Sequence, residues 1–134
     1  MPYAKSAVFW FIGLLAILLI GFWKSYFSVI FGDVHPTHHL HSFAMVGWVL
    51  LLIHQAWRVR AKNLAAHRKV GQLAWVIAPL VVITGTWVTF HNIANFADPA
   101  TPPAMSIFHL GLASVIVFAV LFAMAMKHRR NKET

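Results

Sequence analysis

From Ala7 to Trp23 the chain carries no charged, amide or hydroxyl side chain, and after Lys24 and Ser25 its apolar character resumes through Tyr26–Phe31. Three further stretches, His38–Trp57, Val70–Phe90 and Met105–Met126, contain no Asp, Glu, Lys or Arg. A helix that crosses a bilayer needs roughly 20 predominantly apolar residues. Each stretch meets that length, and backbone polar groups in lipid must be satisfied within the segment, which demands helix. Breakers fall between the stretches: Gly32, Asp33 and Pro36 after the first, and Asp98, Pro99, Pro102 and Pro103 before the last. Thr37 is placed to cap the second helix, and Pro79 and Gly85 predict a kink in the third. The expected fold is all-α, a four-helix transmembrane bundle forming a single integral membrane domain over residues 1–134. The first stretch is too long for the apolar core of a signal peptide and no small-residue cleavage site follows it, so it reads as a retained anchor.

Composition agrees with lipid as the solvent. The chain is 60% hydrophobic and 10% charged, with mean hydropathy +0.70, where a soluble domain carries about 25% charged residues. The absence of cysteine removes disulfides, thiolate metal sites, iron–sulfur clusters and covalent haem attachment. A net charge of +8 suits nucleic acid in principle. Its distribution does not, because the cations sit in short blocks between apolar runs, as topology signals and lipid headgroup contacts. No nucleic-acid partner is therefore expected.

Those blocks orient the chain. Arg58, Arg60, Lys62, Arg68 and Lys69 lie between the second and third stretches, and Lys127, Arg129, Arg130 and Lys132 follow the fourth. The other two connections hold none. By the positive-inside rule both termini and the middle connection are cytoplasmic. In a bacterium this is an inner-membrane protein with its two acidic, histidine-bearing loops on the periplasmic side.

The nine histidines then sort by depth. His35, His38, His39 and His41 fall at the outer end of the second helix, His91 at the outer end of the third, and His109 about one turn inside the fourth. His54, His67 and His128 lie on the cytoplasmic side. His38, His41, Met45, Trp48, Leu52 and Gln55 follow steps of three and four, one stripe facing the bundle, while His39 and His54 fall off it. A lone interfacial histidine is more often an amphipathic side chain than a ligand, the plain reading for His35, His67 and His128. Gln55 and Trp48 read as helix–helix contacts and Met45 as core. His41 and His109 are different, sharing a depth inside the membrane boundary on different helices. Gly47, Gly85 and Gly111 would admit a close backbone or a flat macrocycle.

Imidazole binds haem iron, copper, zinc and non-haem iron alike. A six-coordinate b-type haem needs two histidines at matched depth, and His41 and His109 qualify, with His38 and His91 in reserve. Against haem, the outer side offers little cation beyond Lys24 for propionates. A copper, zinc or iron ion would draw on three or more of His38, His41, His91 and His109, with His39 and His54 as further reserves. The only Glu is Glu133, which rules out the Glu-x-x-His type of diiron site. There is no phosphate-binding glycine loop, serine nucleophile elbow or HExxH helix.

The run His39-Leu-His41-Ser-Phe-Ala-Met45-Val-Gly-Trp48, then Gln55, then His67-Arg68-Lys69-Val-Gly71, resembles a pattern in small uncharacterised bacterial four-helix membrane proteins: H-x-H, M-x-x-W, Q, H-R-x-x-G. It is also loosely similar to four-helix b-type membrane cytochromes. The resemblance covers about Val34 to Gly71. It implies haem b clamped between histidines of neighbouring helices. The matched depth of His41 and His109 and the absence of other chemistry lead to the expected function, a haem-binding redox protein that passes electrons between the quinone level and an outer-side partner. Such cytochromes often hold two haems, but here the fourth helix has no histidine at cytoplasmic depth, so one outer site is expected. Whether His54 belongs to a second stays open. The alternative expectation is a non-catalytic accessory subunit of a larger membrane complex, or a metal-handling protein with a polyhistidine site.

Overall fold

A computed structural model describes residues 2–130, and every regular element among them is helical. The elements are α1 (Pro2–Gly21), a 3-10 turn (Phe27–Val29), α2 (Pro36–Arg60), α3 (Leu64–Gly71), α4 (Ala74–Ala94) and α5 (Pro102–Arg130). Three helical stretches are long and apolar enough to cross a membrane: Pro36–Arg60, Leu64–Ala94 and Pro102–Arg129. The apolar helix Lys5–Gly21 is shorter. Exposed side chains are strongly apolar on all of them, with Trp10, Ile20, Phe43, Ile83 and Leu110 each more than 60% exposed. In water such surface would aggregate, so lipid is the solvent this chain is built for.

The contacts divide the chain into two compact units, one through Ile77 and the other from Ala78 onward. In the first, α1 packs antiparallel on α2. The Arg60 guanidinium lies over the Phe9 ring, 5.2 Å from its centroid, and donates to the Lys5 carbonyl at 3.3 Å. The expected single helix over 7–31 is corrected here: α1 stops at Gly21, and Phe22–Phe31 is turns and 3-10 structure. The reason is a tertiary contact. Tyr26 is buried, its ring edge-on to Phe27 and to His39, and its hydroxyl lies 2.8 Å from His39 Nδ1. Continuing the helix would carry Tyr26 away from that partner, whereas turning back satisfies a hydroxyl that is costly to bury alone.

The start of α2 is also corrected. His35, not Thr37, is the N-cap, its Nδ1 accepting from the Thr37 N–H at 3.3 Å, and Pro36 occupies the first helical position. Thr37 is buried one turn-position later and places its own hydroxyl 3.0 Å from His35 Nδ1. At the far end Lys62 adopts φ 57°, the left-handed conformation that ends a helix. Its N–H bonds to the Val59 carbonyl at 3.0 Å and the Asn63 N–H to the Arg58 carbonyl at 2.9 Å, the paired bonds of a Schellman motif. Asn63 immediately caps α3, accepting from the Ala66 N–H at 3.0 Å.

The third expected helix, beginning near Val70, is two helices. α3 closes at Gly71 and α4 opens at Ala74. Gln55 holds α3 against α2: its amide nitrogen donates to the His67 carbonyl at 3.0 Å and to His67 Nδ1, and its oxygen accepts from the Gly71 N–H at 2.8 Å. Gln55 therefore joins two helices, as the sequence suggested, and His67 is part of that joint rather than an interfacial bystander.

In the second unit the chain reverses between α4 and α5 through an Asp98 turn, where the carboxylate accepts from the Ala100 N–H at 2.9 Å. The α4 threonines return their hydroxyls to their own helix, Thr84 to Leu80, Thr86 to Val82 and Thr89 to Gly85. Each of these three hydroxyls thus has a partner within its own helix in the apolar medium. Phe90 meets Phe108 edge-on at 5.5 Å. Gly111 faces Thr89 so closely that a Cβ there would sit 2.7 Å from the Thr89 hydroxyl. Gly111 thus permits the close helix approach expected of it, whereas Gly47 has nothing within 4 Å. Pro79 lies inside a continuous α4. α5 runs from Pro102, earlier than expected, through Arg130, and residues 131–134 of the basic tail lie outside the described residues.

Candidate metal and haem ligands

Whether a histidine can ligate a metal depends on which ring nitrogen keeps a lone pair, and hydrogen-bond partners decide that. The neutral ring has one N–H and one lone pair.

His109 is the clearest case. Its Nδ1 lies 2.6 Å from the Met105 carbonyl, one turn back on α5. A carbonyl only accepts, so Nδ1 carries the proton and Nε2 keeps its lone pair. This backbone-anchored tautomer is how metal-ligating histidines are typically oriented. The ring is exposed on its helix and sits edge-on to Phe108 at 5.8 Å.

His41 is half-buried on α2 and lines a pocket with Leu18 and Phe22 from α1 and its continuation, Phe27 of the 3-10 turn, and Ser42 and Met45. Every wall but His41 and Ser42 is apolar. The remainder of the expected stripe, His38, Met45, Trp48, Leu52 and Gln55, is half-buried as well.

The other histidines are engaged in ways that spacing did not reveal. At His35 a backbone N–H donates to Nδ1 at 3.3 Å, so that nitrogen is engaged in capping α2. At His54 the Arg58 Nε–H donates to Nε2 at 3.1 Å, which places the proton on Nδ1 and blocks both nitrogens. That Nδ1 is buried without a hydrogen-bond partner. His39 is tied by Tyr26 and stacks on Phe43 at 6.4 Å. His38 Nδ1 is only at the limit of a bond, 3.5 Å from the Thr37 hydroxyl. His91 is half-buried on α4, with the Asn95 amide nitrogen 3.3 Å from Nε2 and donating to the His91 carbonyl at 2.7 Å.

Among the described residues, then, His109 on α5 has a donor nitrogen fixed by its hydrogen bond, and His41 on α2 is the histidine that lines an apolar pocket. Compared with protein-family models, curated proteins and solved structures, the chain matches none.

Proposed function

We propose that this chain is a haem b-binding, redox-active membrane protein that transfers electrons at the outer side of the membrane, in which His41 and His109 would be the residues that hold the haem. The observation that carries the reading is the His109 Nδ1 contact to the Met105 carbonyl at 2.6 Å, which prepares Nε2 as a donor. Haem iron takes two neutral imidazoles, and the group supplies one-electron chemistry when bound. The apolar pocket beside His41 suits the edge of a macrocycle and excludes water from its ligand. His38 and His91 tune the site or substitute in it. Both termini and the α2–α3 connection are cytoplasmic in this reading, because the cations cluster there. The chain's partners are the bilayer, a quinone or redox protein, and the other subunits of a larger membrane complex.

The test is an absorption spectrum of detergent-purified protein, oxidised and then dithionite-reduced, with metal analysis on the same sample. Sharp reduced-state bands with stoichiometric iron are expected, and they should vanish in His41→Ala and in His109→Ala. Bound copper, zinc or iron with a featureless visible spectrum would replace haem by a polyhistidine ion site on His38, His41, His91 and His109. That outcome makes the chain a metal-handling protein or accessory subunit.

A further inference from the structure

The α2–α3 corner is a cationic surface with no counter-charge of its own. Lys62 and Lys69 are exposed, as is Arg68, whose Nε–H reaches the Leu64 carbonyl at 3.4 Å and lays the side chain along α3. The chain has three acidic residues, Asp33, Asp98 and Glu133. In the first unit only Asp33 is present, and it precedes α2 at the end opposite this corner. The surface is also built in two faces. Ala66, His67, Val70 and Gly71 are half-buried toward α2, while Leu64, Ala65, Arg68, Lys69, Gln72 and Leu73 are exposed. Leu64 and Leu73, each about half exposed, flank the two cations. Trp57 and Trp75, also about half exposed, lie on the adjoining helices. Because Gln55 pins His67 and Gly71, and a Schellman turn at Lys62 joins Asn63 to Arg58, the corner is a fixed platform rather than a loose loop.

We propose that this corner binds the headgroup of an anionic phospholipid, the phosphate between Lys62, Arg68 and Lys69 and the acyl boundary against Leu64 and Leu73. Apolar side chains beside cations match a lipid, whose phosphate sits directly above hydrocarbon. A nucleic acid would be repelled by nothing here but would find no use for the leucines. Tryptophans place the corner at the level of the interface, where their rings settle. The proposal stands independently of the haem reading.

The experiment is thermal unfolding of delipidated full-length protein in neutral detergent, titrated separately with phosphatidylglycerol, phosphatidylcholine, inorganic phosphate and a short oligonucleotide. Phosphatidylglycerol should raise the midpoint saturably and the other three should not. The variant Lys62→Gln/Arg68→Gln/Lys69→Gln should raise the half-saturating phosphatidylglycerol concentration by about tenfold or more, whereas Lys24→Gln/Lys127→Gln should respond as the parent does. Leu64→Ser/Leu73→Ser, which keeps every charge, should also weaken the response. The proposal is overturned if phosphatidylcholine stabilises equally, if phosphate alone reproduces the effect, if the oligonucleotide outcompetes the lipid, or if the triple variant responds normally. Should the triple variant fail to fold, the three single variants, scored by phosphatidylglycerol retained in native mass spectrometry, decide the matter by the same criterion.

Discussion

The side-chain oxygen of Gln55 accepts a hydrogen bond from the backbone N–H of Gly71 at 2.8 Å, while the amide nitrogen of the same residue donates to the His67 carbonyl at 3.0 Å. One side chain on α2 thereby bonds to the α3 backbone at residues 67 and 71 and ties the two helices together. This is the physical content of the Q…H-R-x-x-G spacing: an interhelical joint.

Gln55→Ala should therefore cost about 1–3 kcal/mol, since it leaves groups of α3 without their partner. Faster hydrogen exchange at Gly71 than in the parent would locate the effect. Gly71→Ala makes a useful contrast. Its new Cβ would meet the Gln55 amide at 3.6 Å, ordinary contact, so near-parental stability is expected. Equal damage from both variants would show that the joint depends on glycine rather than on the amide.

Gly111→Ala should destabilise by about 1–3 kcal/mol through overpacking. The methyl would lie 2.7 Å from Thr89 Oγ1 and 3.0 Å from its Cγ2. Thr89 cannot easily swing aside, because its hydroxyl is held by the Gly85 carbonyl at 2.8 Å. Gly47→Ala meets nothing and should be neutral or stabilising, by up to about 1 kcal/mol from helix propensity. Unfolding midpoints measured in one detergent compare the two, and Thr89→Ser should partly rescue Gly111→Ala by removing Cγ2.

Lys62→Gly should stabilise the fold by roughly 0.5–1 kcal/mol, because φ 57° strains any residue with a Cβ. The gain would appear as a higher unfolding midpoint with unchanged helical content. A loss would mean that the lysine stem contributes more by packing than its backbone strain removes.

Tyr26→Phe should cost about 0.5–1.5 kcal/mol for the lost bond to His39. It should leave any haem or metal content intact, and so should His39→Ala. His41→Ala and His109→Ala should abolish that content. Spectra and metal analysis on all four variants separate the structural histidine from the ligating ones, and cofactor loss in His39→Ala would reverse the assignment.

Helix existence was legible from residue order alone, because a bilayer accepts only segments that satisfy their own backbone, and long uncharged runs announce them. So were the joining role of Gln55 and the tight approach at Gly111, whereas the buried residues of α2 are Thr37, Val49, Leu51 and Ala56, outside the stripe read from spacing. The cationic blocks, too, are visible without a fold. What residue order could not supply was the partner of each polar group. Nothing in the spacing says that Tyr26 turns back to His39 and ends α1 at Gly21, ten residues before the apolar run does. Nor does it say that His35 gives its lone pair to a helix N-terminus, or that Arg58 takes the lone pair of His54. Hydropathy measures the average preference of a segment for lipid, and it selected the helices. Ligand competence depends on a single proton on a single ring nitrogen. Only tertiary and capping contacts place that proton, which is why histidines alike in the sequence become a cap at His35, part of a joint at His67 and a candidate ligand at His109 in the folded chain.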